Sequence, residues 1–107
     1  MLVNLDQLIH NLDGDQRATL RNALVGTLDN TPADTRDYAR RVQRLADRLA
    51  DGGTVELSDA EMGLLREVID ARKGWHPWAL ESLDYFLWPE ELADSDRERI
   101  AKRYKEG

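Results

Sequence analysis

The chain has 107 residues, 15 basic and 21 acidic, for a formal net charge of −6, and it has no cysteine. That length suits one domain with a core of its own and is short for two. The missing thiols exclude a disulfide framework, a Cys-type zinc site, an iron–sulfur cluster and a cysteine nucleophile, while the acidic balance disfavours bulk electrostatic binding to nucleic acid or anionic lipid.

In chain order, Leu5, Leu8, Ile9 and Leu12 recur at helical spacing and predict a first amphipathic helix over residues 4–12. Asp13-Gly14-Asp15 interrupts it. Asp15 is the expected N-cap of a second helix to about Asp29, in which Leu20, Leu24 and Leu28 form one row. Thr31 and Pro32 are the expected cap and first residue of a third helix to about Asp51, with Tyr38, Val42, Leu45 and Leu49 as its apolar stripe. Gly52-Gly53 supply a left-handed stop. Thr54 to Leu57 alternate like a strand, but a four-residue strand with no visible partner is not expected to make a sheet.

Ser58-Asp59-Ala60-Glu61 is a capping box, and Leu57 and Met62 can staple it. It fixes a fourth helix to about Lys73, stopped by Gly74. Pro77 opens a fifth helix to about Trp88, and Pro89 starts a further turn over 90–93. Ser95-Asp96-Arg97-Glu98 predicts a second capping box, for a basic C-terminal helix anchored by Ile100 and Tyr104. The expected fold is a single all-α domain over residues 1–107, with five or six short helices. Its prolines at helix starts favour an irregular or orthogonal bundle over a long parallel one.

Catalytic patterns are absent from the sequence. His10 and His76 lie far apart and belong to no metal-ligating helical spacing. Ser58 and Ser95 read as caps, and Ser82 sits mid-helix without a nucleophile elbow. No glycine-rich phosphate loop is present. Carboxylate pairs such as Glu81 and Asp84 share a helix face, as acids do freely in a chain that is 34% charged. No enzyme, metal or cofactor is therefore expected. No apolar run is long enough for a membrane span, and the N-terminus lacks a signal pattern, so the expected compartment is cytoplasmic without membrane contact.

Two surface features remain. Arg36, Arg40, Arg44 and Arg48 recur every four residues along the third helix, with Arg41 beside them, mostly opposite the apolar stripe. Such a row can grip phosphates or a partner's carboxylates. It can equally be a solvated face or pair with neighbouring acids. The second feature is the stretch 75–94, which gathers Trp75, Trp78, Tyr85, Phe86 and Trp88 with Glu81, Asp84, Glu90, Glu91 and Asp94 and contains no Lys or Arg. It carries −5 of the net charge, and the other residues together carry −1. A helix apolar nearly all round is either central to the core or covered on one face by another chain. Aromatic anchors beside single-sign charge suit a basic protein surface, unless those acids face the arginines of the third and last helices.

The expected function is a non-enzymatic protein–protein interaction module, an inhibitor, adaptor or small regulator working through residues 75–94. Its partner is another protein with a basic surface or a second copy of the chain. The main alternative is a small nucleic-acid-binding regulator using the third-helix arginines, which the net charge disfavours. A hydrolase or transferase built on His76 is the weakest alternative. In manner, this short, acidic, heavily capped chain resembles small accessory proteins of bacteria and their phages.

Overall fold

The N-terminal segment is extended rather than helical. The computed structural model describes residues 1–10 and 17–105, the side chains of residues 10, 17 and 105 excepted. Leu12 and the expected break and cap at Asp13-Gly14-Asp15 lie outside the described residues. In order, the elements are β1 (Leu2–Asn4), β2 (Leu8–His10), β3 (Arg17–Thr19), α1 (Leu20–Asp29), α2 (Arg36–Leu49), β4 (Thr54–Glu56), α3 (Asp59–Ala71), α4 (Pro77–Leu87), a 3-10 turn (Pro89–Glu91) and α5 (Asp94–Lys105). The chain is thus mostly helical, but two small sheets, β1–β4 and β2–β3, make all-α too narrow a description. It divides into two compact units: Met1–Leu8 with Ala18–Gly74, and Ile9–Arg17 with Trp75–Gly107.

In the first unit β1 runs antiparallel to β4, with Leu2 opposite Glu56, Val3 opposite Val55 and Asn4 opposite Thr54. The ladder continues outward through the Leu5 amide to the Gly53 carbonyl and the Leu57 amide to the Met1 carbonyl, both at 2.8 Å. The residues Thr54 to Leu57 therefore do have a partner, far back in the sequence. Side chains follow the strand period: Val3 and Leu5 are buried while Leu2 is 69% exposed. Leu8, expected on a buried helical stripe, is 43% exposed.

The helix α1 begins at Leu20, later than expected, because residues 17–19 form a strand and Thr19 caps the helix by accepting from the Asn22 amide at 3.1 Å. Its first-turn amides are already used by the extended segment: Leu20 donates to Gln7 and Arg21 to Leu5. Leu20, Leu24 and Leu28 form its buried row, as their spacing predicts.

The cap of α2 is Thr35, which accepts from the Tyr38 amide at 3.1 Å, not Thr31. Thr31 serves the end of α1 instead. Its hydroxyl donates to the Thr27 carbonyl at 2.7 Å and its amide to Leu28. Val42, Leu45, Ala46 and Leu49 are buried on α2, and Tyr38 is half-buried. The helix packs on α1, and α1 packs on α3.

The Ser58–Glu61 box forms as expected: the Ser58 hydroxyl accepts from the Glu61 amide and the Glu61 carboxylate accepts from the Ser58 amide. Leu57 and Met62 beside it are both buried. Gly74 lies beyond the helix at φ +81°. In the second unit Pro77 takes the first turn of α4, and the Trp88 amide closes its last turn on the Asp84 carbonyl at 2.8 Å. The expected box at Ser95–Glu98 does not start α5. That helix is already under way at Asp94, with the Arg97 amide donating to the Ala93 carbonyl at 2.9 Å, so Ser95 falls within its first turn. The helix α4 packs on α5 and on the 3-10 turn. No helix among the described residues is long and apolar enough to cross a membrane.

Gly52 and Gly53 both adopt positive φ, at +73° and +75°. A Cβ on Gly52 would fall 2.8 Å from Asp6 Oδ1, whereas one on Gly53 would meet nothing within 4 Å. That Asp6 oxygen accepts the Gly53 amide at 3.1 Å. Gly53→Ala should cost about 1–2 kcal/mol from backbone strain alone, and Gly52→Ala about 1 kcal/mol more through the displaced Asp6 bond. Urea unfolding of both variants checks this; equal losses would mean that Asp6 moves aside freely.

Candidate functional site: the aromatic groove of α4 and α5

The helix α4 buries one face. Ala79, Ser82, Leu83 and Leu87 are buried on it, and Ile100 is buried on α5. The five aromatics of the stretch take neither extreme: Trp75, Trp78, Tyr85, Phe86 and Trp88 are all half-buried. The helix therefore carries a buried aliphatic stripe flanked by partly exposed rings.

Three rings are held together. Tyr85 meets Phe86 edge-on at 5.1 Å, Phe86 meets Tyr104 edge-on at 4.9 Å, and Tyr85 stacks with Tyr104 at 6.0 Å. A hydrogen-bond chain fixes Tyr104: its hydroxyl donates to Ser82 Oγ at 2.6 Å, and Ser82 donates to the Trp78 carbonyl at 2.9 Å. Ser82, fully buried, is thus a structural relay. Burial raises the Tyr104 pKa, which keeps the phenol a donor. His76 stacks on Trp78 at 6.3 Å and provides no side-chain cap.

Charge on this unit is less one-sided than the sequence of 75–94 suggests. Glu81 receives both guanidinium nitrogens of Arg99, and Arg103 Nη2 at 3.0 Å. The hydrogen bonds from Arg99, opposed by partial burial and reinforced by Arg103, lower its pKa from 4.5 to about 2. Asp94 pairs with Arg97 one helical turn on. Asp84 is half-buried, and Glu90 and Glu91 are exposed on the 3-10 turn. Part of the acid therefore faces α5 bases within the same unit, one of the two arrangements foreseen.

An open groove of about 760 Å³ lies beside these rings, between Tyr85, Phe86 and Pro89 on one side and Arg97, Glu98, Ala101 and Lys102 of α5 on the other. Its apolar floor comes from the aromatics, Pro89 and Ala101. Its charged rim comes from α5 and not from the acids of 75–94. Sequence reasoning did not nominate those four α5 residues. The signal was present, since 97, 98, 101 and 102 share one helix face with the small Ala101 among long charged chains. Trp75, Trp78 and Trp88 do not line the groove.

In the first unit Arg36, Arg40, Arg41, Arg44 and Arg48 are all exposed. Arg41, Arg44 and Arg48 line a smaller groove of about 250 Å³ with Leu45, Ala60, Glu61 and Leu64. Arg48 is engaged there, donating to the Glu56 carbonyl at 2.6 Å and pairing with Glu61 at 2.9 Å. Among the described residues Arg36, Arg40, Arg41 and Arg44 have no ion-pair partner, and no group of His, Asp and Glu could hold a metal ion. No protein-family model, curated protein or solved structure matches this chain.

The Glu81 pKa lies below its unfolded value, so its stabilisation is complete above about 4.5 and is lost as pH falls towards about 2. Glu81→Gln should be less stable than the wild type by about 1 kcal/mol at pH 6, a figure reduced for solvent screening of the exposed Arg99. Denaturation at a series of pH values should show that gap closing towards pH 2, and a gap independent of pH would show that the carboxylate charge contributes nothing.

Proposed function

We propose that this protein is a non-enzymatic protein–protein interaction module, acting as an inhibitor, adaptor or small regulator. The observation that carries the reading is the α4–α5 groove, where Tyr85 and Phe86 line an apolar trough that α5 rims with Arg97, Glu98 and Lys102. Half-buried aromatics offer a partner large apolar area at a small ordering cost, since Tyr104 and Ser82 already fix their positions. The partner inserts an apolar side chain into the trough. Its basic groups approach the exposed Glu90 and Glu91, while Trp75, Trp78 and Trp88 widen the contact on the same unit. Glu81 and Asp94 hold the unit together instead of steering.

A second reading, a small nucleic-acid-binding regulator, is supported by the exposed Arg36, Arg40, Arg41 and Arg44 on α2, which have no ion-pair partner among the described residues. The net charge of −6 weighs against it. A low-salt gel shift that depends on Arg40 and Arg44 would favour it over the first.

Ala101→Arg fills the groove from a partly exposed position on α5. It should reduce retention of the cognate partner from native lysate at least tenfold, about 1.4 kcal/mol, with an unchanged thermal melt. Retention equal to the wild type removes the groove from the interface. Trp78→Ala and Trp88→Ala should weaken retention more than they lower the melting temperature; if both simply unfold, the aromatics are core.

A further inference from the structure

We propose that the arginine groove between α2 and α3 receives the acidic Pro89–Leu92 turn of a second copy of this chain. The groove lies in the first unit and shares no lining residue with the aromatic trough, but the turn it takes carries the Glu90 and Glu91 that the proposed function gives to a partner's basic groups, so a second copy competes for those acids. Arg41, Arg44 and Arg48 line it at 3-4 spacing, so their guanidinium groups follow one edge of α2, while Leu45, Leu64 and Ala60 supply an apolar floor. Arg48 already holds a carboxylate and a carbonyl oxygen. The groove thus demonstrates on its own Glu61 how it takes an acid. Arg41 and Arg44 present the same chemistry with no ion-pair partner among the described residues.

The complementary half is on the same chain. Glu81 and Asp94 are taken by arginines of α5, while the Pro89–Glu91 turn holds Glu90 and Glu91 exposed, with Leu92 half-buried next to them. A short segment pairing carboxylates with an aliphatic side chain matches a groove pairing guanidiniums with an aliphatic floor. A nucleic-acid backbone matches it less well. The groove is narrow and apolar at its base, Glu61 shares its lining, and Asp37 and Asp47 interrupt the arginine helix. Each copy carries one groove and one turn, so the turn of one copy can seat in the groove of another.

Contacts of this kind are weak and screened by salt. Light scattering should show concentration-dependent association at about 0.05 M salt that weakens about tenfold by about 0.5 M. Arg44→Glu and Glu90→Arg should each abolish it. An equimolar mixture of those two variants should recover it, because the acidic groove of one then meets the basic turn of the other and the reverse contact is native. The double variant should self-associate for the same reason. Circular dichroism checks folding; should a reversal unfold the chain, Arg44→Gln and Glu90→Gln replace it, each expected to weaken association severalfold.

Arg44→Glu, which lies outside the aromatic groove, should leave retention of the cognate partner unchanged, and this separates the present result from the fate of that groove. A monomeric wild type at low salt, or a mixture that stays monomeric, overturns the proposal. So does retardation of a DNA duplex that Arg44→Glu removes while self-association persists, since the groove would then be taking phosphate.

Discussion

The first unit depends on a backbone ladder between segments far apart in the sequence. Once β1 lies against β4, the amides and carbonyls from Met1 to Leu5 find partners from Gly53 to Leu57. Buried backbone polar groups must be paired, so this ladder also fixes what flanks it. Gly52 and Gly53 must turn the chain into β4 with positive φ. The carbonyls of Leu5 and Gln7 are left to accept the first amides of α1. Three strand residues on each side thereby set where α1 begins and where α2 ends, and the burial of Val3, Leu5, Leu20, Leu24 and Leu49 follows from those boundaries.

The second unit is held in a different way. Its aliphatic interior among the described residues is small: Ile9, Ala79, Leu83, Leu87 and Ile100 are buried. Polar links between α4 and α5 compensate, namely Glu81 with Arg99 and Arg103, and Ser82 with Tyr104. One of these links is incomplete, because Arg103 Nη1 is buried with no hydrogen-bond partner among the described residues. A lone buried donor costs stability, and it shows that this clamp was not optimised for strength alone. Since the polar links hold the helices, the aromatic rings are released from the interior and stay half-exposed beside the groove.

Local features were legible in the sequence and distant ones were not. The Ser58–Glu61 box, proline at the start of α4, and the two-glycine stop need only neighbouring residues to act, and each appears where its pattern places it. The β1–β4 sheet escaped because its evidence is a partner about fifty residues away, and β2 because Leu5, Leu8 and Ile9 satisfy a helical period as readily as a strand period over so short a run. Thr31 and Thr35 are chemically equal caps, and the choice turned on Thr31 being occupied with the end of α1. The arginine row of α2 was legible as a solvent face, since it lies opposite a clear apolar stripe. The aromatic stretch was legible as a feature, but its groove was not, because α5 supplies half of the lining.

The β1–β4 ladder has a consequence for the order of events during synthesis. The strand β1 leaves the ribosome about fifty residues ahead of its partner, several seconds at ordinary rates of elongation. Throughout that interval Leu2, Val3 and Leu5 have no ladder to join, and an open apolar strand edge is a template for any other chain. The helical hairpin of α1 and α2 is local and can form while β1 waits. The nascent chain is therefore exposed to mispairing at β1, and that exposure ends when Gly53 and β4 emerge and the turn closes.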